Sequence, residues 1–234
     1  SGNSIDGIRL YGAATTENVI AGNLIGIDIT GMASLYNGDN GISIQNGSFE
    51  NRIGGDTGEE RNIISGNDIN GIYINDSDNN EIVGNFIGLD ASGMTAVPNA
   101  EKGIYIVNSN DNTIGYESSY EPSNFISGNQ YGVVITGDIP DPGDPPGTIY
   151  DVSMGNWIRY NAIGFNYGGE PAGNTNEGVL ISVNSQQNKV GPNNWISYNG
   201  THGVRIDTPL SYYNRIYENY IFENDGKGIS LTNG

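Results

Sequence analysis

A four-residue motif, Gly-(Ile/Val)-x-(Ile/Leu), recurs through the whole chain and restricts the folds open to it. Its copies begin at Gly7, Gly41, Gly71, Gly103, Gly132, Gly178, Gly203 and Gly228. In the copy at 71–74, Ile72 and Ile74 fall on one side and Tyr73 on the other, which is the two-residue period of a β-strand. Because so short a strand cannot bury its apolar side alone, like strands must stack on like strands from one repeat to the next.

A second pattern, Asn-x-(Ile/Val), occurs twice between successive copies of the first. One set begins at Asn18, Asn51, Asn80, Asn112, Asn156, Asn188 and Asn214, and the other at Asn23, Asn62, Asn85, Asn124, Asn161, Asn194 and Asn219. A third polar corner follows at Asp28, Asn67, Asp90, Asn129, Asn166, Asn199 and Asn224. We expect Asn at the corners because it tolerates the left-handed backbone region, and because its amide can bond to the Asn of the next coil.

Three short strands in each repeat predict three parallel sheets around an Ile-rich core. The predicted fold is therefore all-β, a right-handed, single-stranded parallel β-helix of about seven coils. At about 4.8 Å between neighbouring strands, the coils would form a rod of roughly 34 Å. Residues 1–234 form one solenoid domain, and since the pattern is already running at both ends, we expect a segment of a longer repeat protein.

Longer inserts alternate between two places in the repeat. Some follow the third corner: Ile29–Asn40, Ala91–Lys102 and Tyr167–Glu177. Others separate the two Asn corners: Gly54–Arg61 and Gly115–Ser123. The true repeat is thus a unit of two coils, roughly 62 residues long, a period typical of repeat architectures.

Composition excludes several classes of partner. The formal net charge is −18, which disfavours nucleic acid and anionic membrane surfaces because both are polyanions. The chain has no Cys, so disulfides and thiolate metal sites are absent. No run of about 18 apolar residues occurs, so we expect no insertion into a membrane.

Several stretches resemble the parallel β-helix repeat family, which includes pectate lyases, polygalacturonases and many bacterial and archaeal surface proteins. The matching text is Asn-x-Ile-x-Gly-Asn-x-Ile-Gly-x-Asp at 18–28 and 80–90, and Asn-x-Ile-Ser-Gly-Asn at 62–67 and 124–129. The resemblance implies the fold and an extracellular or cell-surface setting rich in polysaccharide. It does not imply a particular reaction, since one fold hosts many functions.

The candidate catalytic residues are His202, Arg205 and Asp207. His202 is the only His and so the one side chain that exchanges a proton readily near neutral pH. The resemblance to pectate lyases would imply an aspartate cluster holding Ca²⁺ beside an Arg base, and the resemblance to polygalacturonases would imply paired carboxylates. Neither pattern is found at the outward strand positions. Alternatively, His202 fills a turn position that other coils give to Asn, Asp, Lys, Tyr or Glu.

One Pro-rich insert, Gly137–Val152, holds the candidate metal ligands Asp138, Asp141 and Asp144. Carboxylate oxygens at short spacing suit Ca²⁺, the one cofactor under consideration. The alternative is a solvated connecting loop, because the spacing matches neither an EF-hand nor a Ca²⁺-binding β-roll.

The outward positions of the second Asn strand are all apolar: Leu24, Ile63, Phe86, Phe125, Ala162, Trp195 and Tyr220. An apolar strip of this kind is either covered by other parts of the protein or serves as a binding surface. If the inserts fold over it, Phe86 and Phe125 are shielded in a second small core. If the strip is a binding surface, we expect Phe86, Phe125, Trp195 and Tyr220 to contact a partner chain or to stack on sugar rings. Tyr73 and Tyr105, on the Gly-motif strands, are candidate binding residues of the same kind.

Two classes of function remain. The first is a non-catalytic, extracellular structural or adhesive module of a cell-surface or filament protein, with neighbouring subunits packed end to end or side to side. The alternative is a polysaccharide-active enzyme, lyase or glycoside hydrolase, or a carbohydrate-binding β-helix. The regular repetition favours the first class.

Overall fold

The computed structural model describes residues 1–116, 123–138, 151–207 and 210–232. In these ranges the chain winds into a parallel β-helix with three faces, as the motifs predict. The helical content of the described residues is a single 3-10 turn, Gly58–Glu60. Within the described residues, no helix is long and apolar enough to cross a membrane.

Each of the three motifs forms its own sheet, and every strand pairs in parallel with its counterpart one coil away. The Gly sheet has eight strands: Ile8–Tyr11, Ile42–Gln45, Ile72–Asn75, Lys102–Val107, Tyr131–Thr136, Val179–Ser182, Val204–Asp207 and Ile229–Thr232. The first Asn sheet has seven: Val19–Ile20, Arg52–Gly54, Glu81–Val83, Thr113–Ile114, Trp157–Ile158, Lys189–Val190 and Arg215–Ile216. The second Asn sheet also has seven: Leu24–Ile25, Ile63–Ile64, Phe86–Ile87, Phe125–Ile126, Ala162–Ile163, Trp195–Ser197 and Tyr220–Phe222. A small fourth sheet pairs Ser153–Met154 with Ser185–Gln186.

The inward Ile and Val side chains of the three sheets form one continuous core. Ile53, Ile82 and Ile114, for example, are register partners on successive coils, and none of the three is exposed. The Gly that begins each Gly motif, from Gly7 to Gly203, is required by close approach between coils. A Cβ on Gly41 would lie 2.7 Å from the carbonyl oxygen of Gly71, so a larger residue would force the coils apart.

Buried Asn amides form three ladders that run along the solenoid. At Asn80, the side-chain oxygen accepts from the backbone N–H and from Nδ2 of Asn51, both at 3.0 Å. Its own Nδ2 donates to Oδ1 of Asn112 at 3.1 Å and to the carbonyl of Ser48 at 3.3 Å. Each interior amide is thus satisfied by the coils on either side, as a buried polar group must be.

The expectation that the corner Asn residues take the left-handed conformation is wrong. In the first Asn ladder the positive φ belongs to the residue before each Asn, as at Glu50 (54°), Asn79 (57°) and Asp111 (53°). That residue turns the chain, and the Asn that follows keeps ordinary backbone angles with its amide buried between coils. Asn is needed here for its side-chain donor and acceptor, and the turn can be made by Glu, Asp or Gly.

The third polar corner was also assigned to the wrong residues at three coils. Asp28, Asp90 and Asn166 do not join the ladder, which runs through Asn3, Asn37, Asn67, Asn99, Asn129, Asn174, Asn199 and Asn224. Each long insert lies before the ladder residue of its coil and not after it. Asp90 instead organises the insert, because its Oδ1 accepts from Ser92 Oγ and from the backbone N–H groups of Met94 and Thr95.

Candidate functional site

The three inserts that follow Ile27, Leu89 and Phe165 return as hairpins over the outer face of the second Asn sheet. Antiparallel bridges close them at Ile27–Ser34, Leu89–Ala96 and Phe165–Pro171. We call residues 27–37, 89–99 and 165–174 the covering hairpins. Val97 ties one of them to two coils, since its N–H donates to the carbonyl of Gly88 and its carbonyl accepts from the N–H of Gly66.

Under the covering hairpins lies a second hydrophobic core. Its buried members are Ile27, Ile63, Phe86, Leu89, Val97, Phe125, Ala162 and Phe165. Phe86 and Phe125 are only 2% and 3% exposed and meet edge to face at 5.6 Å between ring centroids. The Tyr167 ring lies 5.5 Å from the first and 5.3 Å from the second. The prediction that the inserts shield Phe86 and Phe125 is confirmed. Phe86 and Phe125 were therefore wrongly proposed as binding residues, because the hairpins leave their rings inaccessible.

The coils that begin at Gly178 and Gly203 carry no covering hairpin, and there the strip emerges into solvent. Trp195 is 46% exposed, Tyr220 55% and Phe222 42%. The Trp195 and Tyr220 ring centroids are 5.4 Å apart, and those of Tyr198 and Phe222 are 6.3 Å apart. We call Trp195, Tyr198, Tyr220 and Phe222 the aromatic patch. Trp195 and Tyr220, two of the sequence-predicted binding residues, lie together in it.

The aromatic patch differs in construction from the covered coils. Beneath the hairpins, the corner positions are Ser-Gly, at 65–66 and 127–128. A Cβ on Gly66 would lie 2.6 Å from Ser34 Oγ, so Gly is needed where a hairpin lies. At the same position the uncovered coils carry Tyr198 and Glu223. Tyr198 packs partly buried against the second core, as does Ala172 of the third hairpin, while the rings of Trp195 and Tyr220 are open to solvent.

Carboxylates lie beside the aromatic patch. Glu223 interacts with the Tyr198 hydroxyl, and this interaction is the main reason that the pKa of Tyr198 is raised. The negative charges of Glu223 and Glu170 raise the pKa further. The patch thus combines exposed rings with hydrogen-bond acceptors.

Tyr73 and Tyr105 form a second aromatic pair, on the outer face of the Gly sheet. They are register partners on adjoining coils, with ring centroids 5.6 Å apart. The Lys102 ammonium lies 4.6 Å from the centre of the Tyr105 ring. Both tyrosines are half-buried, and burial raises their pKa values. These rings are more shielded than those of the aromatic patch.

His202 serves as a hydrogen-bond acceptor in a turn. Its Nδ1 accepts from the backbone N–H of Lys227 at 2.8 Å. Two coils near the other end make the same kind of bond at the same position: Asp6 Oδ1 accepts from Asn40 N at 3.1 Å, and Asn70 Oδ1 accepts from Lys102 N at 3.2 Å. The His202 ring therefore performs a structural task that Asp and Asn perform elsewhere.

Arg205 and Asp207 are brought together, as the candidate catalytic set required. An Arg205 nitrogen lies 2.8 Å from an Asp207 oxygen, and another lies 3.3 Å from Glu177. The second Asp207 oxygen accepts from Thr232 Oγ1 at 2.7 Å. These carboxylates and the guanidinium are engaged with one another along the Gly sheet.

Of the candidate metal ligands, only Asp138 falls within the described residues; Asp141 and Asp144 lie outside them. Asp138 Oδ1 accepts from Asn108 Nδ2 at 2.7 Å, and Oδ2 accepts from the N–H of Asp151 at 3.2 Å. Across the described ranges, no three His, Cys, Asp or Glu side chains are arranged to hold a metal ion.

A concavity of about 390 Å³ lies on the outer face of the first Asn sheet and was missed from the sequence. Its lining includes Glu50, Glu81, Asp111 and Arg159. Of the three acids, Glu81 is at an outward strand position. Glu50 and Asp111 are left-handed turn residues that precede ladder Asn residues. Arg52 lies between the charges, 3.3 Å from Glu81 and 2.8 Å from an oxygen of Asp56. A search of strand centres alone could not find this group.

No family model, curated protein or solved structure matched the chain. The resemblance to the parallel β-helix repeat family therefore remains a prediction, although the fold that it implied is the observed one. Function has to be argued from the surfaces themselves.

Proposed function

We propose that this chain is a rigid structural module of an extracellular, cell-surface or filament protein. The observation that carries the proposal is the continuity of the three Asn ladders from coil to coil. Each coil is held to the next by strand hydrogen bonds, by a close-packed Ile stack and by three amide contacts. Such a solenoid resists bending, because any bend must separate all of these contacts on one side.

The surface charge suits the same role. A formal net charge of −18 keeps an extended molecule soluble and discourages non-specific association. The sequence resemblance to surface β-helix proteins favours an extracellular location. A module of this kind contributes length and stiffness, and its outward side chains are free to differ from coil to coil.

Pulling single molecules from both ends tests the proposal. We expect force peaks as coils detach one after another, each releasing about 100 Å, since a coil of about 30 residues extends by about 3.4 Å per residue. Extension without force peaks would contradict a load-bearing role. Asn124→Leu, which interrupts one ladder in mid-solenoid, should lower the peak forces.

A second candidate, a polysaccharide-active enzyme, is favoured by the concavity around Glu81. Hydrolysis of a glycosidic bond needs two carboxylates flanking a substrate, and Glu50, Glu81 and Asp111 line one hollow. The test is incubation with uronic-acid and neutral polysaccharides, with and without Ca²⁺, followed by assay of reducing ends and unsaturated products. Turnover abolished by Glu81→Gln would place catalysis in the concavity; turnover abolished by His202→Ala would place it beside Arg205.

A further inference from the structure

We propose that the aromatic patch binds a neutral polysaccharide, with sugar rings stacked on Trp195 and Tyr220. This inference rests on the structural role proposed above, for which it supplies the ligand. Pyranose rings present a flat face of C–H groups, and burying that face on an exposed aromatic ring is favourable for the same reasons as other apolar burial.

Neighbouring rings pack against Trp195, and this contact lowers the entropy cost of fixing its side chain on binding. Trp195 and Tyr220 are register partners on adjoining strands of the second Asn sheet. Behind Trp195 lies Phe165, 6.3 Å away between centroids and only 7% exposed. The patch is thus the exposed end of an aromatic row whose remaining members are fixed in the second core. A polymer laid along the solenoid axis would meet successive rings at about the strand spacing of 4.8 Å.

The size of the patch favours a sugar chain over a folded protein partner. Trp195, Tyr220 and Phe222, each roughly half exposed, offer on the order of 300 Å² of aromatic surface. A stable protein interface buries about 800 Å² on each partner.

The charges at the patch select a neutral polymer. Glu223 and Glu170 lie close enough to Tyr198 to raise the pKa of its hydroxyl, and the whole chain is strongly acidic. A polyuronate would be repelled. Sugar hydroxyls, by contrast, can donate hydrogen bonds to the Glu223 carboxylate beside the patch.

The experiment is calorimetric titration of the intact chain with neutral polymers, namely β-glucan, xylan and galactomannan, and with polygalacturonate and alginate. We expect binding to at least one neutral polymer and none to the polyuronates. Tyr220→Ala should weaken binding at least ten-fold. Tyr116→Ala, which removes a ring of similar exposure outside the patch, should leave it unchanged.

Thermal unfolding of each variant checks that the fold is retained, and Tyr220→Phe gives a second variant that keeps the stacking ring and should keep most of the affinity. The proposal is overturned if no neutral polymer binds, if polyuronates bind as well as neutral polymers, or if Tyr220→Ala binds like the unaltered chain. None of these results affects the pulling measurement, so the proposal of a polysaccharide ligand and the proposal of a structural role can be refuted independently.

Discussion

At the scale of single residues, the ladder Asn side chains hold positions that no other residue can fill. Asn124 Oδ1 accepts two N–H groups of Asn85, at 3.0 and 3.1 Å. Its Nδ2 donates to Asn161 Oδ1 and to the carbonyl of Ile82, both at 2.9 Å. Only a primary amide of this length supplies both functions, since Asp lacks the donor and Leu lacks both.

Asn124→Asp is expected to destabilise the fold by on the order of 3 kcal/mol, because a buried carboxylate would face two acceptors in place of a donor. Urea unfolding followed by far-ultraviolet circular dichroism measures the change. Asn18→Asp is the matched control: Asn18 begins the same kind of ladder but is exposed, so water can solvate the carboxylate. Equal losses in the two variants would refute the argument from burial.

At the scale of elements, the covering hairpins depend on one side-chain acceptor in each turn. Burial raises the pKa of Asp90, but hydrogen bonds from Ser92, Thr95 and Met94 outweigh it and hold the pKa below the ordinary value. At Asp28 the hydrogen bond from Thr30 is the main cause of a lowered pKa. The third hairpin uses a neutral acceptor, since Asn166 Oδ1 accepts from the N–H groups of Gly168 and Glu170 at 2.9 Å each.

A lowered pKa in the folded state contributes stability that is present above the ordinary Asp value of about 3.9 and is lost as the pH falls through the folded-state pKa. Asp28→Asn with Asp90→Asn should therefore flatten the decline of thermal stability between about pH 5 and pH 2. Stability at pH 7 should change little, because Asn166 shows that an amide oxygen suffices. Asp68→Asn, at an exposed site, is the control. An unchanged pH profile in the double variant would contradict this role.

The second core offers another test at this scale. Phe125→Ala should cost about 3–5 kcal/mol, the usual range for removing a buried aromatic ring. Tyr220→Ala, at the equivalent strand position but without a covering hairpin, should change the free energy of unfolding by about 0.5 kcal/mol or less. Denaturant titration of both variants compares them directly. Similar losses would mean that the hairpins do not shield Phe125 in solution.

At the scale of the whole molecule, stability is distributed along a row of coils whose strands pair only with the next coil on either side, while the covering hairpins also contact one another. In such a solenoid, the number of coils that a substitution destabilises depends on whether it lies in the middle or near an end. Ile114 has a coil on each side, with Ile82 and Ile158 as register partners. Ile216 lies in the final strand of its sheet and is only partly buried.

Ile114→Asp is expected to cost several kcal/mol and to abolish cooperative unfolding, because it places an unpaired charge inside the central stack. Ile216→Asp should loosen only the coils nearest to it. Hydrogen exchange along the chain separates the two outcomes: loss of protection in all three sheets for the first, and in the C-terminal coils alone for the second. Loss throughout the molecule for both would show that the coils unfold as one unit.

The repeated motifs alone determined the three sheets, the number of coils and the inward Ile stacks. They could do so because every coil places like residues on like residues. The alternation within each strand shows which side chains point inward, and the longer repeat shows which of them stack on one another. The residues of the first two Asn ladders were found in this way. The choice of Asn for those ladders was explained incorrectly, because the left-handed residue is the one before it, and that residue varies among Glu, Asn, Asp, Gln, Tyr and Gly and leaves no motif.

Only the tertiary structure decided where the inserts return. Because of that path, the third ladder contains Asn37, Asn99 and Asn174 and not the predicted Asp28, Asp90 and Asn166. The same path buries Phe86 and Phe125 and leaves Trp195 and Tyr220 exposed. The turns before the first Asn ladder, and not the inserts, place Glu50 and Asp111 beside Glu81. Contacts between an insert and the neighbouring coils join positions that share no period, so no pattern along the chain records them.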